Sequence, residues 1–134
     1  MKILVINPGS TSTKLAVYND LEPAWRESLF HSAEELSGFH HVNEQYAFRR
    51  DHIMEALRVA NIPMEFDAII ARGGLLKPTP GGVYRIDEHI KHDLWNADME
   101  HVSNLAAIIA DELAASVPAR DMAVKDARRQ EAAA

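Results

Sequence analysis

The chain has 134 residues, suited to one domain, and its 47% hydrophobic and 25% charged content excludes disorder throughout. Twenty acidic against fourteen basic residues leave a net charge of −6, which argues against nucleic-acid and anionic-membrane partners, since both select a basic face. There is no cysteine and no apolar run of membrane-spanning length, so disulfides, thiolate metal sites and a Cys nucleophile are excluded and a soluble cytoplasmic protein is the expectation.

Residues 3–6 (Ile-Leu-Val-Ile) are a continuous apolar run and predict a strand buried on both faces. Asn7-Pro8-Gly9 stops the run too early for a signal peptide. Leu15 to Tyr18 predicts a second strand, joined to the first through the small residues 9–13, and Ala24 to Phe30 a third. A β-meander is the simplest arrangement. Ser32-Ala33-Glu34-Glu35 has the form of a capping box at the start of a short helix. A longer helix is predicted from about Asn43 to Ala60, with Asn43 as cap and Tyr46, Ile53, Met54 and Leu57 on its buried face.

Ala68 to Ala71 predicts a short strand that joins the sheet in parallel and leads into Arg72-Gly73-Gly74. Pro78 to Gly82 reads as a loop, Val83 to Ile86 as an extended piece, and Asp87 to Ala97 as a helix capped by Asp87. The last helix starts near Ser103 and buries Leu105, Ile108, Ile109 and Leu113. Residues 119–134 are charged and alanine-rich, which reads as a frayed helix, a linker or a foreign end. No strand is expected after the last helix. The fold class is α/β, a hairpin-led mixed sheet with helices packed on it.

Two segments carry candidate chemistry. Asn7, Gly9, Ser10, Thr11, Ser12, Thr13 and Lys14 supply a tight turn, exposed amides, four hydroxyls and a positive charge, donors that suit phosphate oxygens. The Walker A pattern and G-x-G-x-x-G are both absent, and on composition alone a polar hairpin turn is the favoured reading, since Ser, Thr, Asn and Gly are ordinary turn residues. Arg72, with Gly73 and Gly74, follows a predicted strand at its carboxyl end, where α/β sheets place ligands. A guanidinium there can hold a carboxylate or phosphate bidentately, or pair with a structural carboxylate. His101 precedes a helix start that favours anions, although a lone histidine there more often caps. His89 and His92 are spaced i, i+3 without a third ligand at a convincing spacing. No G-x-S-x-G elbow is present, which leaves a serine hydrolase without support.

In order, residues 5–14 (VINPGSTSTK), residues 72–78 (RGGLLKP) with Gly81-Gly82, and residues 101–105 (HVSNL) resemble the butyrate kinases. These kinases stand with acetate kinase in the sugar kinase, Hsp70 and actin superfamily. The resemblance covers Met1 to about Ala119 and implies a ribonuclease-H-like, actin-like amino-terminal domain over residues 1–118, with 119–134 as a tail outside it. It implies ATP and Mg²⁺ as cofactors and reversible phosphoryl transfer to a short-chain fatty acid, butyrate being favoured over acetate, propionate or branched acids. It also implies roles. The turn with Asn7, Gly9, Ser10, Thr11, Ser12 and Lys14 binds phosphate, with Asn7 near the metal. Arg72, Gly73 and Gly74 bind the carboxylate or the phosphoryl group in flight, and His101 faces that group. Val102 and Ala106 stand where the family commonly has Ala and Gly, a departure that tightens packing near His101. About a third of the family's length is covered; its second phosphate loop, magnesium-binding aspartate and adenosine-binding domain are missing. This chain alone is therefore expected not to turn over, and the cleft and interdomain surface thus exposed make a homo-oligomer expected. A truncated paralogue acting as a binding module is the alternative.

Overall fold

In the computed structural model, the described residues are 1–73, 82–97, 99–115 and, as backbone, 120–124. β1 (Lys2–Pro8), β2 (Ser12–Asn19) and β3 (Glu22–Phe30) form the antiparallel meander that the apolar runs predict. α1 (Ala33–Leu36) follows, then a 3₁₀ turn (Val42–Gln45) and α2 (Tyr46–Val59). β4 (Ala68–Arg72) pairs parallel to β1, with Ile6 opposite Ala71. β5 (Val83–Arg85), α3 (Glu88–Trp95), α4 (Asn104–Ala115) and β6 (Arg120–Val124) complete a six-stranded mixed sheet of order β3-β2-β1-β4-β6-β5.

Local chemistry sets the helix ends. The Ser32 hydroxyl accepts from the Glu35 amide at 3.0 Å and the Glu35 carboxylate accepts from the Ser32 amide at 2.9 Å, the reciprocal capping box. Asp87 caps α3 by accepting from the Ile90 amide at 2.8 Å. α2 ends in a Schellman motif: Asn61 takes a left-handed φ of 56°, and the Ile62 amide reaches back to the Leu57 carbonyl at 3.0 Å.

The helices pack on one face of the sheet. Leu4 and Ile6 of β1, Leu15 and Val17 of β2, and Ile69 and Ala71 of β4 form a core with Ile53 and Leu57 of α2 and Leu105, Ile109 and Leu113 of α4. Ile3, Val5 and Ile70, one residue out of phase, stay half-buried on the opposite face. The expectation that the β1 run is buried on both faces is corrected, because no described helix covers that second face.

Three further readings change. Met54 is exposed, and the buried stripe of α2 is Arg49, Ile53, Ala56 and Leu57. Asn43 lies inside the 3₁₀ turn and does not cap α2; its Nδ2 donates to the Trp95 carbonyl at 2.8 Å. A strand does follow the last helix, since β6 pairs parallel to β4 and antiparallel to β5. Strand pairing there satisfies backbone groups along the open edge of β4, a demand that side-chain periodicity does not report. The predicted Gly74, the rest of the Leu75–Pro78 run, Gly81 and the tail beyond residue 124 lie outside the described residues.

Candidate active site

Parallel pairing of β1 and β4 sets their carboxyl ends side by side, and both chains leave the sheet there, at Asn7 and Arg72. α4 begins at the same end, preceded by the turn holding His101 and Ser103. Together Asn7, Pro8, Gly9, Ser10, Arg72, Gly73, His101 and Ser103 line a cleft of about 290 Å³. Three segments distant in sequence thus meet where an open α/β sheet places its ligands. Among the described residues no carboxylate lines this cleft, and its Arg, hydroxyl and amide donors suit an anion.

The β1–β2 connection is residues 9–11, shorter than the small-residue run suggests, because Ser12, Thr13 and Lys14 already belong to β2. The Gly9 amide donates to the Ser12 carbonyl at 2.7 Å and closes the turn. A Cβ at position 9 would lie 3.3 Å from Ser12 Oγ, so glycine keeps the turn tight. His101 shapes its own turn: its Nδ1 accepts from the Ser103 amide at 3.1 Å and lies 2.7 Å from Ser103 Oγ. An accepting Nδ1 puts the proton of the neutral ring on Nε2.

The predicted residues therefore divide. Asn7, Gly9, Ser10, Arg72, Gly73 and His101 come together in the cleft. Lys14 does not; it lines a separate hollow of about 360 Å³ on the open sheet face with Val5, Ala16, Arg26 and Ser28, and Asn7 borders both. The Thr11 and Ser12 carbonyls face inward hydrogen bonds from His31 and Arg49. Among the described residues, no group of three or more His, Asp or Glu could hold a metal, His89 and His92 included.

Sequence reasoning missed the support beneath the turn. Arg49 of α2 is fully buried, and its guanidinium donates to the Ser12 carbonyl at 2.9 Å, the Ser10 carbonyl at 3.2 Å and Thr13 Oγ1 at 3.2 Å. Burial pushes its pKa down to about 10, so it stays charged at neutral pH. Thr13 Oγ1 lies 2.9 Å from Nε2 of His31, which is also buried. The available signal was phase: Arg49 stands four and eight residues before Ile53 and Leu57, on the apolar stripe.

His31 is held below the usual imidazole range first by burial, then by the charges of Arg49 and His52, with Glu35 opposing. The unfolded chain therefore binds a proton more readily than the folded one near and below the ordinary value of 6.5. His31 thus contributes stability that is full above that value and lost as pH falls toward the lowered folded one. Thermal melts over about pH 5–8 should show this slope, flattened in His31→Gln. An equal slope in the variant would remove His31 as its source.

The mixed sheet, its order and its one-sided helices define an α/β domain of the actin-like ATPase fold, with an anion-suited cleft at the strand ends. Over the stretch it shares with them, the chain is similar to proteins named butyrate kinases. It is 64% identical over 114 residues to a probable butyrate kinase of Phocaeicola vulgatus, covering 85% of this chain and 32% of that protein. It is 44% identical over 115 residues to butyrate kinase 2 of Clostridium acetobutylicum, covering 84% and 32%. The chain therefore spans about a third of the length of these relatives. A crystal structure of Porphyromonas gingivalis acetate kinase matches 96% of this chain and 38% of that one with TM-score 0.60 at 17% identity, a likeness of fold. No protein-family model matches the chain. No described helix is long and apolar enough to cross a membrane.

Proposed function

We propose that this domain forms the phosphoryl-handling wall of an ATP-dependent short-chain fatty acid kinase, with butyrate as the favoured acceptor. The observation that carries the reading is the meeting of Asn7, Ser10, Arg72 and His101 in one cleft. In the reaction a carboxylate oxygen of the acid attacks the γ-phosphorus, the bond to the leaving ADP oxygen breaks, and an acyl phosphate forms. The acceptor is already ionised, so the domain need not supply a strong base. Its work is positioning and neutralisation of oxygen charge.

Arg72 holds the acid's carboxylate or the equatorial oxygens of the phosphoryl group, where its fork matches either geometry. Ser10 and the turn amides donate to phosphate oxygens. His101, with the proton on Nε2, faces the group in transfer as a neutral donor. The Asn7 side chain offers the hard amide oxygen that a hydrated Mg²⁺ would take as a ligand or through a bridging water. ATP with Mg²⁺ supplies the phosphoryl group and neutralises its charge. ATP as donor places the proposed reaction in the cytoplasm.

The test is a chimera in which residues 1–115 replace the matching segment of the Phocaeicola vulgatus relative. ATP- and Mg²⁺-dependent acyl phosphate, trapped by hydroxylamine, should form fastest with butyrate in a series with acetate, propionate and branched acids. A folded chimera that makes no acyl phosphate from any of them would overturn the proposal.

A further inference from the structure

We propose that Arg49 is the positioning residue of the phosphate turn, orienting its peptides from below and presenting a buried positive charge to the bound anion. The inference deepens the phosphate-turn reading and rests on it for the identity of the anion.

Three observations carry it. Arg49 is fully buried, yet all its hydrogen bonds go to uncharged oxygens: Gln45 Oε1 at 2.9 Å, the Ser10 and Ser12 carbonyls, and Thr13 Oγ1. A buried guanidinium with no carboxylate among these partners is an expensive group to keep for packing alone. An anion in the adjoining cleft is the missing countercharge, since Ser10 belongs to both the cleft lining and the guanidinium's grip.

The second observation is directional. In a trans peptide the carbonyl and the following amide point in opposite directions. Arg49 draws the Ser10 carbonyl toward itself, so the Thr11 N–H points away from it. His31 donates its backbone amide to the Thr11 carbonyl at 2.9 Å, which fixes the next peptide, carrying the Ser12 N–H, in the same way. Carbonyls, which would repel phosphate, are thereby held on the protein side of the turn.

The third is the hydrogen-bond chain beneath. The Thr13 hydroxyl accepts from Arg49 and lies 2.9 Å from His31 Nε2, so it links the guanidinium to the imidazole. His31 Nδ1 is buried without a hydrogen-bond partner among the described residues. A protonated His31 would set a second charge beside Arg49, and the burial that keeps it neutral leaves Arg49 as the cation of this cluster.

The test compares the 134-residue chain with its Arg49→Met and Arg49→Lys variants by amide NMR, first free and then titrated with inorganic phosphate. Ile53→Val serves as a control that weakens α2 packing without touching the charge. In Arg49→Met the amides of residues 9–13 and His31 should shift while those of β4 and α4 hold, and phosphate affinity should fall about 10- to 100-fold, the usual loss when a supporting residue is removed. Arg49→Lys should recover much of the affinity but not the turn shifts, because one ammonium cannot span both carbonyls. Ile53→Val should leave phosphate affinity unchanged. Unmoved turn amides in Arg49→Met would overturn the proposal, as would phosphate affinity equal to the parent in either Arg49 variant. If Arg49→Met does not fold, Arg49→Lys decides by the same two readouts. If the turn amides move but the parent chain binds no phosphate, the positioning role stands and the phosphate reading fails.

Discussion

Arg72→Ala, placed in the chimera that carries residues 1–115, is expected to lower kcat for acyl phosphate formation by about 10³-fold or more, the scale of an arginine that stabilises phosphoryl-transfer charge. The reasoning starts at the sheet. Ile6 opposite Ala71 in parallel register brings Arg72 beside Asn7, and its side chain is exposed at the cleft rather than packed in the core. Truncation should therefore leave thermal melting nearly unchanged, since exposed substitutions usually shift stability by no more than about 0.5 kcal/mol. Arg72→Lys keeps the charge but loses the planar fork and should recover only part of the rate. The measurement is hydroxamate formation at saturating ATP across a range of butyrate concentrations. A rate in Arg72→Ala within a few-fold of the parent would remove Arg72 from the chemistry.

The largest expected loss of stability belongs to Ile69→Ala. Ile69 is fully buried on β4, between β1 and β6, facing α4. Removing its side chain leaves a cavity under α4, and such truncations cost about 2–5 kcal/mol. Against a total of roughly 5–15 kcal/mol for a domain, the melting temperature should fall by about 10 °C or more. Ile70→Ala provides the internal contrast. Ile70 points to the opposite, half-covered face and should lose clearly less. Equal losses at the two positions, read by thermal or urea melts, would contradict the one-sided packing.

These two isoleucines show where sequence reading stops. Both sit in the run Ala68 to Ala71, which predicts a strand and nothing about which member faces the helices. The reading of α2 failed for a related reason. Arg49 lies on the buried phase, but a charged residue is taken as exposed unless its partners are known. Those partners, the Ser10 and Ser12 carbonyls, lie in the β1–β2 turn, far away in sequence. Lys14 departs from the grouping in the other direction. It follows the hydroxyl-rich turn in sequence, yet strand β2 has begun by Ser12, so Lys14 alternates onto the open sheet face.

What the sequence determined by itself were the features that a few neighbouring residues decide: the meander strands, the Ser32–Glu35 capping box, the Asp87 cap, and the stop at Asn61. Each rests on hydrogen bonds or steric limits spanning at most about six residues, so local composition suffices. The tertiary structure alone decided that residues 120–124 join the sheet, that Arg49 is buried beneath the turn, and which candidate residues share the cleft. Those outcomes depend on strand order and on backbone groups met across the fold. The physical reason is that burial and charge compensation belong to pairs of distant segments, and neither segment carries the answer alone.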